Sequence, residues 1–484
     1  MNSPRAFSGR LLPVVLLVLS VVGLACGCLE AARGDQSDPA VGVAVPFVAP
    51  DTLRTYLETL KIDRASRALL EEPAGWTAAQ QQLALRVVAR LVLAPADRFA
   101  EWAERAVDGW PAGEQPVVAD RFMLLEGRAT FVAPQTLPPA QAEIAERTSI
   151  DVVRMTTADG AIVDILTDTA PIAWPRWKAI DEPASVVGLP LSTAAAPKPV
   201  PPTAEGAKAI AVDAGQTGWP IQPPSLLLAA TRVAWHPPTP LGALGMNYGL
   251  FDTVVDGQKL VAGDTEAFYA ILAAVGRTTE ESIEVAAGPP RDVVPMIDPA
   301  QKWFATHRGD PVTVDGTARR ATRIEVDDPL RRRQIGADHY WELSIFVKTS
   351  LIKINGRLQE SYPLVCCVRT LPEGIPTGQS INERVRVSGF AMKRYGYPLP
   401  TIEGSDAQDN ERQETPLIIG RQAIWVPDPS TAETTSVLGW IFTGLAVVIG
   451  LLMAFGAWRL TRDSKQQEKR QRAELPKRFT LPGE

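Results

Sequence analysis

The chain is poor in the residues on which much site chemistry depends. Its 484 residues hold three histidines and four cysteines. Four cysteines make no disulfide framework. His236, His307 and His339 are scattered, and no HExxH, paired CxxC or acidic loop with metal spacing occurs. Nothing therefore predicts a zinc or calcium site. There is no GxSxG elbow and no GxxxxGK[ST] loop, and Gly242, Gly245 and Gly249 lack the GxGxxG spacing. No cofactor and no catalytic residue is predicted. Cys366 and Cys367 are neighbours in a predicted strand, so their side chains leave on opposite faces. A surplus of positive charge is also missing. The net charge is −6, with +2 in residues 1–28 and +4 in 459–484, which leaves −12 for the body. Nucleic-acid binding needs a basic footprint, and an acidic body does not supply one.

Proline is abundant, at 42 residues against a usual share of about 5%. Long uncharged runs are present at both ends. Leu11–Cys28 follows Arg5 and Arg10, the layout of a secretory signal. Cleavage after Gly27, retention as an anchor and lipidation at Cys26 or Cys28 are all open. The last fits least well, since Gly23 and Ala25 stand where a large aliphatic residue belongs. Near the other end, Val437–Trp458 carries no charge. Its 22 residues make about 33 Å of helix, enough to cross the hydrocarbon of a bilayer. Trp440 and Trp458 mark its edges, and the basic tail 459–484 follows at once. That charge asymmetry puts the tail in the cytoplasm. The expected location is a bacterial cytoplasmic membrane, with the body in the periplasm.

The body reads as a duplication: residues 45–195 and 225–400, each a short helical region followed by strands. Thr77 and Gln80 form a capping box before Leu83, Val87 and Leu91, which recur at helical spacing. In the second half Asp264 is a candidate N-cap, ahead of Phe268, Ile271, Leu272 and Val275. Strands are predicted near 122–132, 150–156, 161–167 and 185–191, with Asp159-Gly160 as a hairpin turn. The second set falls near 311–326, 340–348, 362–369 and 385–392, with Asn355-Gly356 as a turn. Gly127 and Gly188 mark the first set, and Gly316 and Gly389 the second. An insertion near Leu351–Ser361 accounts for the wider spacing of the second pair. A glycine within a strand suits a barrel corner. The predicted class is thus α+β: a tandem helical region plus small β-barrel, OB-like by strand count and order, followed by one transmembrane helix. Pro-rich residues 196–224 are expected to link the units, and a single sheet continuing across Ala194–Pro224 would refute the duplication. Residues 401–436 are expected to form a juxtamembrane stalk.

One charged cluster stands out. Arg319, Arg320, Arg323, Arg331, Arg332 and Arg333 fall within fifteen residues, beside Glu325, Asp327 and Asp328. They lie where OB-like barrels often bind ligands, and are the candidate partner-binding residues. The leading expectation is an extracytoplasmic, membrane-anchored scaffold or accessory protein that binds membrane or envelope proteins. A module binding an envelope glycan is the alternative, with Trp174, Trp177, Trp303, Tyr340 and Trp341 as its aromatic platform. An enzyme with an unrecognised site comes third.

Overall fold

Two β-sheets, each with a helical layer, precede one long apolar helix. The computed structural model describes residues 52–71, 77–110, 121–145, 147–191, 226–354, 357–398, 412–426 and 429–474. The proposed signal 1–28, the Pro-rich stretch 196–224 and the Asn355-Gly356 turn lie outside them. The described chain divides into two compact units, one ending at Trp425 and one beginning at Val426.

The first half contains α1 (Leu53–Thr59), α2 (Arg64–Glu71), α3 (Ala78–Val92), α4 (Ala96–Glu104) and α5 (Pro139–Ala145). Its strands are β1 (Val107–Asp108), β2 (Met123–Thr136), β3 (Ser149–Thr157), β4 (Ile162–Thr169), β5 (Ala179–Pro190), β6 (Leu226–Arg232) and β7 (Ala234–Trp235). The predicted capping box is present: the Gln80 N–H donates to Thr77 Oγ1 at 3.2 Å, and the Thr77 N–H to Gln80 Oε1 at 2.7 Å. Leu83, Val87 and Leu91 are buried on one face of α3, in a cluster with Leu166, Leu227 and Ala229. The other face of the sheet encloses Met123, Leu125, Ile165 and Leu228. Gly160 takes a positive φ of 83° in the turn between β3 and β4, which is why glycine stands there.

The second half contains α6 (Pro240–Ala243), α7 (Ala262–Gly276), α8 (Glu280–Ala287), α9 (Val294–Ile297), α10 (Phe304–His307) and α11 (Pro329–Ile335). Its strands are β8 (Pro311–Glu325), β9 (His339–Ile354), β10 (Arg357–Thr370), β11 (Glu383–Pro398) and β12 (Arg412–Trp425). Phe268, Ile271, Leu272 and Val275 of α7 pack on Cys367, Phe390, Leu417 and Ile419. Cys366 faces the opposite way, into a cluster with Val314, Ile345 and Ile418. The two neighbouring thiols are free, buried and directed into different cores. Burial in apolar surroundings raises both thiol pKa values, as the thiolate form is the one penalised.

The strand pairings run in the same circuit in both halves. In the second sheet β8 pairs with β9, β9 with β10, β10 with β12, β12 with β11, and β11 with β8, so the ladder closes. In the first sheet β2 pairs with β3, β3 with β4, β4 with β6, β6 with β5, and β5 with β2. Within each circuit one pairing is parallel, β4 with β6 and β10 with β12. The marker glycines sit at matching contacts. A Cβ on Gly188 would meet the Ala229 carbonyl at 2.6 Å, and one on Gly389 the Ile419 carbonyl at 2.6 Å. Gly127 and Gly316 abut the backbones of β3 and β9 in the same manner. The hairpin β9–β10 extends well beyond β3–β4, where the insertion was expected.

Three expectations are corrected. β6 lies beyond the Pro-rich stretch and pairs with β4 and β5, so the first sheet resumes after residues 194–224, and the duplication with bounds 45–195 and 225–400 is refuted. Residues 226–235 therefore belong to the first half. The stalk assigned to 401–436 contains β12, which closes the second sheet between β10 and β11. Asp264 is not the N-cap of α7: Val261 is, and Asp264 accepts the Val261 N–H from inside the first turn.

The halves touch through named contacts. The Trp235 ring meets Trp174 and Tyr248 edge-on, and the Trp235 N–H donates to Asn247 Oδ1 at 3.0 Å. The Ile172 N–H donates to Asp252 at 2.9 Å. The unit beyond Val426 contains α12 (Pro429–Glu474), in which Trp440–Arg459 has a mean hydropathy of 2.2. By length and composition this helix is able to cross a membrane.

Candidate functional site

The six candidate arginines occupy β8 and the helix that follows it. Arg319, Arg320 and Arg323 lie on β8, and Arg331, Arg332 and Arg333 on α11. Asp328 starts α11 by accepting the Leu330 N–H at 2.8 Å, and Gly336 ends it at a φ of 65°. Three consecutive helical positions fan out by about 100° each. The arginines of α11 accordingly leave in separate directions.

Arg331 turns inward. It pairs with Glu266 of α7, approaches Asp328 at 3.8 Å and covers the Tyr269 ring at 5.4 Å, with its side chain 13% exposed. Arg332 bends back to the Val326 carbonyl and Asp327, yet stays 47% exposed. Arg333 reaches Glu104 of α4 at 3.1 Å and is 55% exposed. On β8, Arg320 pairs with Glu342 of β9 and is 15% exposed. Arg323 pairs with Glu325, and its Nη2 lies 3.0 Å from His339 Nδ1. A hydrogen bond from His339 holds the Asp338 carboxyl below the usual carboxylate range. Arg319 donates to Asn382 at 2.5 Å.

The cluster is thus divided by environment. Arg320 and Arg331 are half-buried and hold β9 and α7 in place. Arg319, Arg323, Arg332 and Arg333 are exposed, and the ion pairs of the last three lie in solvent. Such exposed pairs contribute about 0–1 kcal/mol each and exchange readily.

The five aromatic residues proposed for glycan stacking do not gather. Trp174 and Tyr340 are buried, in contact with Trp235 and Phe268 respectively. Trp177 packs edge-on against Phe131, and Trp303 stacks on His307 at 4.6 Å. Trp341 lies edge-on to His339. His236 is held in place by its ring, which bridges Ser185 Oγ at 2.8 Å and the Met246 carbonyl at 3.0 Å. Among the described residues no group of His, Cys, Asp and Glu is arranged to hold a metal ion.

Two arrangements escape a reading of the sequence. Asp264 and Lys393 form a fully buried ion pair, and Arg277, Arg369 and Arg421 meet at the end of α7. Each joins residues far apart in the chain, and no local spacing signals it. No protein-family model matches this chain, and no curated protein matches it either.

Proposed function

We propose that this chain is a membrane-anchored accessory or scaffold protein. It presents two OB-like units, a duplication whose bounds are redrawn to put β6 in the first unit and β12 in the second, outside the cytoplasm of a bacterium and binds membrane or envelope proteins. The observation that carries this reading is the repeated circuit of strand pairings, on one chain with an apolar helix able to span a bilayer. The repeat spans β2 to β6 and β8 to β12, with α3 and α7 as matching helical layers. Matching extends to the side chains. Met123, Leu125, Ile165 and Leu228 correspond by register to Val312, Val314, Cys366 and Ile418, all buried within their sheets. Small barrels of this kind bind ligands through exposed strands and connecting loops. The basic tail after Arg459 supports a cytoplasmic C-terminus, and the run Leu11–Cys28 supports export of the body.

The exposed arginine edge is the binding surface in this reading. It adjoins the connection between the first two strands of the second unit. Guanidinium groups present planar donor forks that pair with carboxylates. Rim charges act mainly on encounter rate and salt dependence. A protein partner is favoured over a glycan because Trp174 and Tyr340 are buried and the remaining aromatics are dispersed. The test is the double variant Arg323→Ser with Arg332→Ser, which leaves the Arg320 and Arg331 pairs intact. The full chain and the variant are isolated from native membranes at low and moderate salt. The reading expects a partner retained by the parent chain and lost from the variant as salt rises. Identical partner recovery at both salts would refute the role of the edge.

A further inference from the structure

Three arginines outside the cluster above converge on the carbonyl end of α7. Arg277 follows the helix directly, Arg369 lies on β10 and Arg421 on β12. In the parallel ladder Val368 is opposite Gly420 and Thr370 opposite Gln422, which sets Arg369 beside Arg421. Like charges on adjacent strands destabilise a sheet. The Arg369 Nη1 donates to the Leu272 carbonyl at 3.1 Å, and the Arg421 Nη1 to the Gly276 carbonyl at 3.0 Å. Arg277 donates to the Leu244 carbonyl through both Nε at 2.9 Å and Nη2 at 2.5 Å. Among the described residues none of the three forms an ion pair. Glu280 acts on Arg421 through space, and its carboxylate accepts the Gln422 N–H at 3.0 Å. Burial first, and then the charges of Arg421 and Arg277, pull the Arg369 pKa below its usual value.

A helix end presents about half a negative charge, well short of three guanidinium groups. The first half supplies an internal control. There α3 packs on β4 and β6 as α7 packs on β10 and β12. Gly188 pairs with Ala230 and Gly389 with Gly420, so register matches Asp168 to Arg369 and Thr231 to Arg421. Asp168 is paired with Arg147 at 2.7 Å. The same helix-on-sheet contact therefore forms without a like-charged pair. Holding Arg277, Arg369 and Arg421 together needs another reason.

We propose that Arg277, Arg369 and Arg421 form an anion site that takes a phosphate group, as the free ion or as a phosphomonoester. A single guanidinium fork matches a planar carboxylate. The N–H groups that the three guanidiniums do not spend on these carbonyls suit the larger set of oxygens on a tetrahedral dianion. Arg277 is exposed and the other two are half-buried, so the site opens to solvent. This inference stands apart from the arginine edge of β8 and α11.

The test uses the full chain in detergent, with Arg369→Gln and Arg421→Gln as separate variants. Glutamine keeps a donor for the helix carbonyl and removes the like charge. The probes are inorganic phosphate, a short-chain water-soluble phosphatidic acid, and acetate as the monovalent control. Binding is measured by calorimetry and by the shift in Tm. Phosphate is expected to bind the parent chain and raise its Tm, with acetate inactive. Each variant is expected to weaken phosphate binding by about tenfold or more, with a Tm in phosphate-free buffer equal to or above that of the parent. Tighter binding of phosphatidic acid than of phosphate assigns the site to a lipid headgroup, and the reverse to a soluble phosphate. A parent chain indifferent to phosphate, equal binding of acetate, or variants that bind undiminished would each overturn the proposal. So would variants that lose Tm without phosphate, since that marks the arginines as purely structural.

Discussion

Lys393 Nζ donates to Asp264 Oδ2 at 2.7 Å, and neither side chain has any exposed surface. Lys393 projects from β11 and Asp264 from the first turn of α7, so the contact pins the helical layer to the second sheet. The same Asp264 oxygen accepts the Val261 N–H at 3.0 Å, which starts the helix. A buried charge is tolerated here because its partner is buried with it.

Removing one member of that pair leaves the other uncompensated. Asp264→Ala is expected to cost about 3–5 kcal/mol of unfolding free energy, whereas an apolar replacement of both residues is expected to recover most of it. Denaturant unfolding of the single variant and of Asp264→Leu with Lys393→Met checks this. A double variant as unstable as the single would show that the pair does more than compensate its own burial.

Glu280 makes stability depend on pH. Burial pushes its pKa from 4.5 up to about 7, against the Gln422 N–H, which favours the charged form. The folded state thus holds a proton that the unfolded state has released. Stability from this group is fully present below about pH 4.5 and is lost as pH rises through about 7. Glu280→Gln removes the dependence. It is expected to be more stable than the parent by about 1–2 kcal/mol at pH 8, after allowance for solvent screening, with no gain at pH 4. Unfolding curves across that range measure the difference. A gain that is independent of pH would contradict the assignment.

The matched glycines give a direct comparison between the halves. Gly188→Ala and Gly389→Ala each place a methyl group against a carbonyl of the neighbouring strand. Both are expected to destabilise, by about 1–3 kcal/mol, since a closed ladder has little room to yield. Thermal unfolding of the two variants checks this. A cost at one position and none at the other would contradict the proposed duplication.

Local features of this fold are legible in the sequence. The Thr77–Gln80 box, the apolar faces of α3 and α7, the Asp159-Gly160 turn and the marker glycines depend on residues near one another in the chain. The closing strands are not legible, for a physical reason. β6 begins Leu226-Leu-Leu-Ala-Ala, an apolar run without the alternation that marks a half-buried strand. β12 carries Pro416 and is buried over Thr415–Ile419. Each forms the parallel pairing of its five-strand circuit and is covered on both faces, so the period of two disappears. Both also follow long connections, and the sheet each completes is not apparent from its neighbours. The arginine cluster was visible as a charge run. Its division into inward pairs and an outer edge depends on α7, β9 and α4, which no spacing along β8 encodes.

Membrane topology bears most directly on the proposed function. The full chain, with an epitope tag after Glu484, is expressed in a bacterium and the cells are converted to spheroplasts. Protease is then added from outside. The account predicts loss of the body, leaving a short protected fragment that contains α12 and the tag. A body that resists protease until the membrane is dissolved would contradict it.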